Sequence, residues 1–85
     1  MSYSVSVRAR AQKDLRGLSR PDQERIVRAI DELAGDPRPR QSKKLKGTED
    51  SWRLRVGDFR VIYAIDDHAK TVDVRRVADR KEAYR

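Results

Sequence analysis

The sequence predicts a small α+β domain in which two antiparallel helices pack on one face of a mainly antiparallel four-stranded sheet. Two observations favour this class. Apolar residues recur three and four apart between residues 9 and 34, and they alternate with polar residues before and after that segment. A chain of 85 residues, with 36% hydrophobic and 41% charged residues, has room for one compact core. We therefore expect a single domain over residues 1–85 with the order β-α-α-β-β-β.

A change in the spacing of apolar residues separates the predicted first strand from the predicted first helix. Residues 3–7 alternate apolar and serine side chains, which predicts a short strand. The following apolar residues lie on one helical stripe: Ala11, Leu15 and Leu18. Gly17 loosens the end of this helix.

The second helix has start and stop signals. Ser19 is a favourable N-cap, and Pro21 suits the first turn because its missing N–H would have no helical partner there. The predicted buried stripe consists of Ile26, Val27, Ile30, Leu33 and Ala34. Gly35 is the expected stop, and Pro37 and Pro39 prevent the helix from continuing.

Residues 35–48 form a predicted basic connector, in which only Leu45 is apolar enough to anchor it by a long side chain. Three strands are predicted after it, at residues 51–56, 59–65 and 71–77. Gly57 and Asp58 form the turn between the first two, and residues 66–70 form the second turn.

The first hairpin has two different faces. A two-residue turn pairs Val56 with Phe59 and Arg55 with Arg60, and it places one apolar face toward the helices: Trp52, Leu54, Val56, Phe59, Val61 and Tyr63. A four-residue turn keeps the same pairs beyond it, whereas a three-residue bulged turn would shift them by one. The opposite face carries Arg53, Arg55 and Arg60. Like charges that face each other destabilise a sheet, so this cluster points to an anion, and forked guanidinium donors match phosphate. A solvated outer face is the alternative.

Charge is concentrated in the middle of the chain. The net charge is +7, and residues 38–60 carry eight Lys and Arg against three Asp and Glu. This distribution is typical of a surface that binds a polyanion, although a solvated basic loop would look the same. There are no cysteines, which excludes disulfides and thiolate metal sites. Because no apolar run resembles a signal peptide or a membrane span, we expect a soluble cytoplasmic protein without membrane contact.

The sequence contains few residues that could bind a metal or act as a histidine acid or base. His68 is the one histidine, it falls in a predicted turn, and the acidic residues are scattered over helices and turns. We therefore expect no metal site and no small-molecule cofactor. Any cleavage would depend on cations that stabilise developing charge. Metal-free cleavage in turn favours RNA, because the RNA 2′-OH supplies the nucleophile.

Three segments together resemble the RelE/ParE superfamily of toxins from bacterial toxin–antitoxin pairs: "KLKG", "WRLRVGDFRVIYAI" and "VRRVADRKEAYR". The N-terminal "YSVSVRARAQKDLRGL" and "IVRAIDELAGDP" fit the same family, so the resemblance covers essentially the whole chain. It implies a β-α-α-β-β-β fold like that of microbial ribonucleases. It also implies a ribosome-dependent mRNA endonuclease that arrests translation and is inhibited by an acidic cognate antitoxin.

The resemblance implies a role for each matching residue. The implied catalytic set is Arg53, Arg55, Arg60, Arg80 and Tyr84. Its arginines would neutralise the phosphorane, while Tyr84 would stack on a base or assist proton transfer. The implied products are a 2′,3′-cyclic or 3′-phosphate end and a 5′-OH. Three lysines would contact ribosomal RNA without reading its sequence: Lys43, Lys44 and Lys46.

Two departures from the family pattern leave the general base open. Asp79 stands where many members have histidine, and Arg53 and Arg55 stand where some have lysine, which, unlike arginine, can release a proton. Tyr84, Glu82 and Asp79 are all candidates for the base. The alternative function is that of the ParE branch, a non-nucleolytic inhibitor of DNA gyrase; the basic-plus-tyrosine set favours the nuclease. A third is a relic that only binds RNA or its antitoxin.

Overall fold

A computed structural model describes residues 2–47 and 50–79 of the chain. Within them lie two helices and five strands: β1 Ser4–Val7, α1 Ala9–Arg16, α2 Arg20–Glu32, β2 Ser42–Lys44, β3 Ser51–Val56, β4 Phe59–Asp66 and β5 Thr71–Asp79. The sheet order is β1-β5-β4-β3-β2, and every neighbouring pair is antiparallel except β1 and β5. The predicted α+β class, with helices on a mainly antiparallel sheet, is confirmed.

The predicted count of four strands is wrong, because β2 forms inside the connector. Lys43 of β2 pairs with Arg53 of β3. The three residues of β2 show no apolar alternation, so they carried no signal; they form a strand because the edge of β3 offers backbone donors and acceptors. Leu45 is also not the only anchor, since the buried Tyr63 hydroxyl donates to the carbonyl of the buried Pro37 at 2.8 Å.

A side chain from α1 completes the outer edge of β5. β1 pairs with β5 only from Thr71 to Val74. Beyond that point, a carboxylate oxygen of Asp14 accepts hydrogen bonds from the Val77 backbone N–H and from Arg76 Nε, both at 2.9 Å. Burial raises the pKa of Asp14, but these bonds outweigh it and lower the pKa overall. The two hydrogen bonds to Asp14 hold α1 against β5.

The start of α2 matches its prediction, whereas its predicted buried stripe is only partly confirmed. The Ser19 hydroxyl accepts from the Asp22 N–H at 3.4 Å, as an N-cap does. Ile26, Ile30 and Leu33 are buried and Ala34 is half-buried, but Val27 is 44% exposed. The buried residues are four and three apart and form a narrow stripe, whereas Val27 is rotated by about 100° from Ile26. The prediction that Val27 is buried is therefore wrong.

The β3–β4 hairpin has the predicted register. Val56 pairs with Phe59 and Arg55 with Arg60, while Trp52 pairs with Tyr63. Gly57 has a φ of +59°, which suits the first central residue of a type II′ turn. The apolar face of this hairpin joins both helices in one core, in which the largest fully buried side chains are Tyr63, Ile26, Leu33, Val61, Val72 and Val74.

An ion pair ties the loop after α2 to the β4–β5 turn. Arg38 donates to both carboxylate oxygens of Asp67, at 3.1 and 2.7 Å, and the Tyr3 hydroxyl donates to the same carboxylate at 2.6 Å. The Arg38 guanidinium also lies 5.2 Å from the ring centroid of Trp52. The hydrogen bonds from Arg38, and then from Tyr3, lower the pKa of Asp67 to about 2.

Replacing Asp67 with asparagine should lower the thermal midpoint at neutral pH but not in strong acid. A depressed carboxyl pKa stabilises the fold above the unfolded value, near ~3.9, and this contribution is lost as the pH falls through the folded value of about 2. The difference in midpoint between wild type and Asp67→Asn should be constant above about pH 5, be mostly lost by about pH 2 and vanish near about pH 1. Asp58→Asn, in the exposed β3–β4 turn, is the control. A difference that is unchanged at pH 2 would contradict the role of this ion pair.

Candidate nucleic-acid interface

The sheet face opposite the helices carries basic side chains in neighbouring rows. In one row, Arg55 pairs with Arg60, which pairs in turn with Ala78. In the next row, Arg53 lies between Lys43 on β2 and Ile62 on β4. Residues two apart on a strand share a face, so the predicted co-location of the three hairpin arginines follows from this register. We call Lys43, Arg53, Arg55 and Arg60 the basic face.

The members of the basic face differ in exposure. Arg60 is only 7% exposed, Arg53 is half-buried and Arg55 is exposed. Within the described residues, no acidic partner forms a salt bridge with Arg53, Arg55 or Lys43. A buried guanidinium beside an exposed one, with the exposed charge uncompensated, favours binding of an anion from solvent.

Arginine gives this face a geometric preference as well as a charge. Each guanidinium holds its donors in a planar fork that matches two oxygens of one phosphate. Such donors are held in place by the sheet before any ligand arrives, so they stabilise charge that develops on a phosphate without reorganising. Chemically, the basic face is suited to binding a phosphodiester and to stabilising its pentavalent transition state.

The three predicted RNA-binding lysines do not share one surface. Lys43 lies on the basic face beside Arg53, whereas Lys44 pairs with Trp52 and alternates to the helix side of the sheet. Lys46 is exposed in the turn after β2. Of these three lysines, only Lys43 therefore shares a surface with the arginines.

Three residues of the implied chemistry lie outside the described residues, namely Arg80, Glu82 and Tyr84. Asp79 is described, and it pairs with Phe59, which belongs to the apolar face of the hairpin. Asp79 also lines a cavity of ≈ 520 Å³ with residues of α1. It is thus directed to the helix side of the sheet, away from Arg60, and this placement argues against Asp79 as the general base.

Two cations on β5 were missed in the sequence interpretation. The register of β4 and β5 shifts between Ile62 and Tyr63, so Val74 and Arg76 oppose consecutive residues and Arg75 is the extra residue of a β-bulge. Arg76 binds Asp14, as described above. The dipeptide Arg75-Arg76 interrupts the alternation of β5, and that interruption was the available signal for a bulge.

Other kinds of site find no support in the described part of the chain. Residues 2–47 and 50–79 contain no group of three or more His, Cys, Asp or Glu residues placed to hold a metal ion. His68 is exposed in the β4–β5 turn, as predicted. Over the same residues, neither α1 nor α2 has the length and apolar character that crossing a membrane requires.

Fold and surface together define a small basic α+β protein with arginines paired on the outer face of its sheet. The model of the family described as the ParE toxin of the type II toxin–antitoxin system parDE matches residues 5–84 of this chain. Toxin RelE of Mycobacterium tuberculosis is 36% identical over 88 residues, which cover 98% of this chain and 87% of that protein.

Two solved complexes contain similar chains. One is the toxin–antitoxin complex RelBE2 of Mycobacterium tuberculosis, with a TM-score of 0.83 and 29% identity over 94% of this chain and 100% of that one. The other is the RelE–RelB complex of the archaeon Pyrococcus horikoshii, with a TM-score of 0.84 and 32% identity over 94% of this chain and 97% of that one. The protein belongs to the RelE/ParE superfamily of toxins from type II toxin–antitoxin systems.

Proposed function

We propose that the protein is the toxin of a toxin–antitoxin pair and acts as a metal-independent, ribosome-dependent mRNA endonuclease that arrests translation. The observation that carries the proposal is the pairing of Arg55 with Arg60 on the outer face of the sheet, with Arg53 beside them and no acidic partner for Arg53 or Arg55 among the described residues. A purely structural sheet gains nothing from like charges in register. A phosphodiester site does gain from them, because both arginines can stabilise the negative charge of one phosphate.

The chemistry requires no group beyond RNA and side chains. The ribose 2′-OH attacks the adjacent phosphorus, the new 2′-O–P bond forms and the P–O5′ bond breaks. A base removes the 2′-OH proton, and an acid supplies a proton to the leaving 5′ oxygen. The products are a 2′,3′-cyclic phosphate and a 5′-OH. Arg55 and Arg53 stabilise the negative charge on the phosphorane, and the buried Arg60 adds a fixed positive charge beneath it.

The remaining roles come from the resemblance. We assign Arg80 to phosphate binding and Tyr84 to stacking on a base or to proton transfer. The general base is then Tyr84 or Glu82, because Asp79 faces the helix side of the sheet. Lys43 binds ribosomal RNA or mRNA beside Arg53, and Lys44 and Lys46 contact ribosomal RNA outside the basic face. The protein acts in the cytoplasm, where the ribosome presents mRNA.

The partner proposed for inhibition is a cognate acidic antitoxin. Similar chains from Mycobacterium tuberculosis and Pyrococcus horikoshii are described in complexes of this kind. A net charge of +7 favours an acidic partner. An amphipathic acidic helix that lies in a groove of the toxin would offset much of this charge and keep the basic face from RNA.

A second candidate is inhibition of DNA gyrase without cleavage of RNA. It is favoured by the family model, which is that of the ParE toxins. The basic face favours the nuclease, because a surface that only binds a protein does not need paired arginines at that position.

One experiment separates these candidates. The protein is expressed from an inducible promoter, mRNA 5′ ends are mapped at nucleotide resolution, and chromosomal DNA is assayed for double-strand breaks. The nuclease predicts new 5′-OH ends that are phased with codons, and it predicts their loss in Tyr84→Phe. Growth arrest with intact mRNA and broken DNA would instead establish the gyrase inhibitor. A folded protein without toxicity would identify a relic.

A further inference from the structure

The β-bulge of β5 gives two adjacent arginines different environments. Arg76 Nε donates to a carboxylate oxygen of Asp14 at 2.9 Å, so this charge is committed to holding α1 on the sheet. Arg75 is held much more weakly. Its Nε lies 3.7 Å from Asp73 Oδ2, and within residues 2–47 and 50–79 no acceptor forms a hydrogen bond with this buried atom.

The carboxylate nearest to Arg75 is already occupied. Asp73 Oδ2 accepts a hydrogen bond from Arg8 Nε at 2.8 Å and forms an ion pair with Arg8 Nη2, also at 2.8 Å. Nη1 of Arg75 also donates to the Ser51 hydroxyl at 3.5 Å, a long distance for a hydrogen bond. Among the described residues, the Arg75 guanidinium therefore keeps N–H donors without a close acceptor, and Asp73 offsets its charge only in part.

The contact with Ser51 shows where the Arg75 side chain lies. Ala64 of β4 pairs with Ser51 on one side and with Asp73 on the other. To reach Ser51 from β5, Arg75 must cross β4 above the small side chain of Ala64. Ser51 is two residues from Arg53 on β3, so Arg75 reaches the same sheet face as Arg53 and Arg55.

Positive groups therefore occur at three successive steps along β3. The first step holds Arg55 beside Arg60, the second holds Arg53, and the third holds the Arg75 guanidinium beside Ser51. Each step is two residues of a strand, about 6.8 Å. That length is comparable to the separation of consecutive phosphates along an extended nucleic-acid strand.

We propose that Arg75 is a further phosphate subsite that binds a nucleotide two steps from the one held by Arg55. The identification of the ligand as single-stranded RNA rests on the proposed function. The subsite positions the strand along β3 so that the scissile phosphate meets Arg55 and Arg60. Arg75 itself does not touch the reacting atoms.

Ile62 supports a single strand as the ligand. It is half-buried on β4 and pairs with Arg53 of the basic face. An apolar side chain beside the arginines offers a floor for a base or a ribose while the arginines hold the phosphates, as single-strand sites combine an apolar platform with a positively charged groove. A duplex presents phosphates on its outside and would leave this floor uncovered.

The test is binding of a 2′-O-methyl RNA hexanucleotide, which lacks the 2′-OH nucleophile and cannot be cleaved. Fluorescence anisotropy gives the dissociation constant over a series of salt concentrations. Loss of one phosphate contact should lower the slope of log K against log salt by about 0.7. We expect Arg75→Ala to show this change and to bind about five- to tenfold more weakly at low salt, whereas Arg75→Lys should keep most of the slope because it keeps the charge.

The matched control is Arg20→Ala, which removes the same charge from the exposed N-terminus of α2, where Arg20 pairs with Glu24. It should leave the slope unchanged. The inference is overturned if Arg75→Ala and Arg20→Ala have equal slopes, or if the wild type does not bind the hexanucleotide. A further readout is length: in an NMR titration with a dinucleotide, which has one phosphate, Arg75→Ala should bind as tightly as the wild type.

This outcome is separate from that of the proposed function. The binding assay needs neither the ribosome nor cleavage. A wild type that leaves mRNA intact in cells, with a reduced slope for Arg75→Ala, would refute the nuclease and retain the subsite. Phased mRNA cuts with an unchanged slope would refute the subsite and retain the nuclease.

Discussion

Replacing Arg55 with alanine is expected to lower the rate of ribosome-dependent mRNA cleavage by about 10²- to 10³-fold, the range observed when one donor to a developing oxyanion is removed. Arg55 is the exposed member of the paired arginines, and it has no salt bridge within the described residues. Its guanidinium is thus available to the phosphate. The thermal midpoint should stay the same or rise slightly, because the substitution removes repulsion from Arg60.

The combination of lost activity with retained stability is the diagnostic result. Single-turnover cleavage of mRNA on purified ribosomes measures the first, and thermal unfolding measures the second. Arg55→Lys should recover only part of the rate, since lysine keeps the charge but not the fork. Arg20→Ala, with the same loss of charge on α2, should cleave like the wild type. Full activity in Arg55→Ala would remove this residue from the catalytic set.

The largest effect on stability is expected at Ile26. Its side chain is fully buried between α2 and the sheet, and its truncation to alanine leaves a cavity in a small core. We expect a loss of about 3 kcal/mol in the free energy of unfolding. For a domain of this size, that corresponds to a fall in the thermal midpoint of about 12–24 °C.

Val27, the next residue of α2, provides the matched control. It is 44% exposed, so Val27→Ala should change the free energy of unfolding by no more than about 0.5 kcal/mol. Chemical denaturation of both variants at one pH measures the difference. Similar losses for the two variants would mean that the face of α2 turned toward the sheet is wider than the structure shows.

Local patterns predicted the hairpin well because a hairpin is specified by neighbouring residues. The two-residue turn at Gly57 and Asp58 sets the register, and the alternation along β3 and β4 then assigns each side chain to a face. The shared face of Arg53, Arg55 and Arg60 needed no information from elsewhere in the chain. The same holds for the N-cap at Ser19, whose hydroxyl binds a backbone group only three residues away.

Other features depend on residues that are far apart in the sequence. β2 exists because β3 offers it an edge, and the connector itself has no strand pattern. Asp14 meets Val77 across 63 residues, which no local period reveals. The placement of Asp79 on the helix side and the burial of Arg60 likewise follow from how β5 packs beside β4.

The sequence by itself determined the class of fold, the faces of the β3–β4 hairpin and the concentration of positive charge in the middle of the chain. Each of these can be predicted from the spacing of apolar residues, from the residue types in a turn or from the composition of a short segment. Only the tertiary structure decided that Arg76 binds Asp14 while Arg75 crosses β4 toward Ser51. A β-bulge distinguishes these two identical neighbours, because the extra residue of the bulge changes the direction of the side chains that follow it on β5.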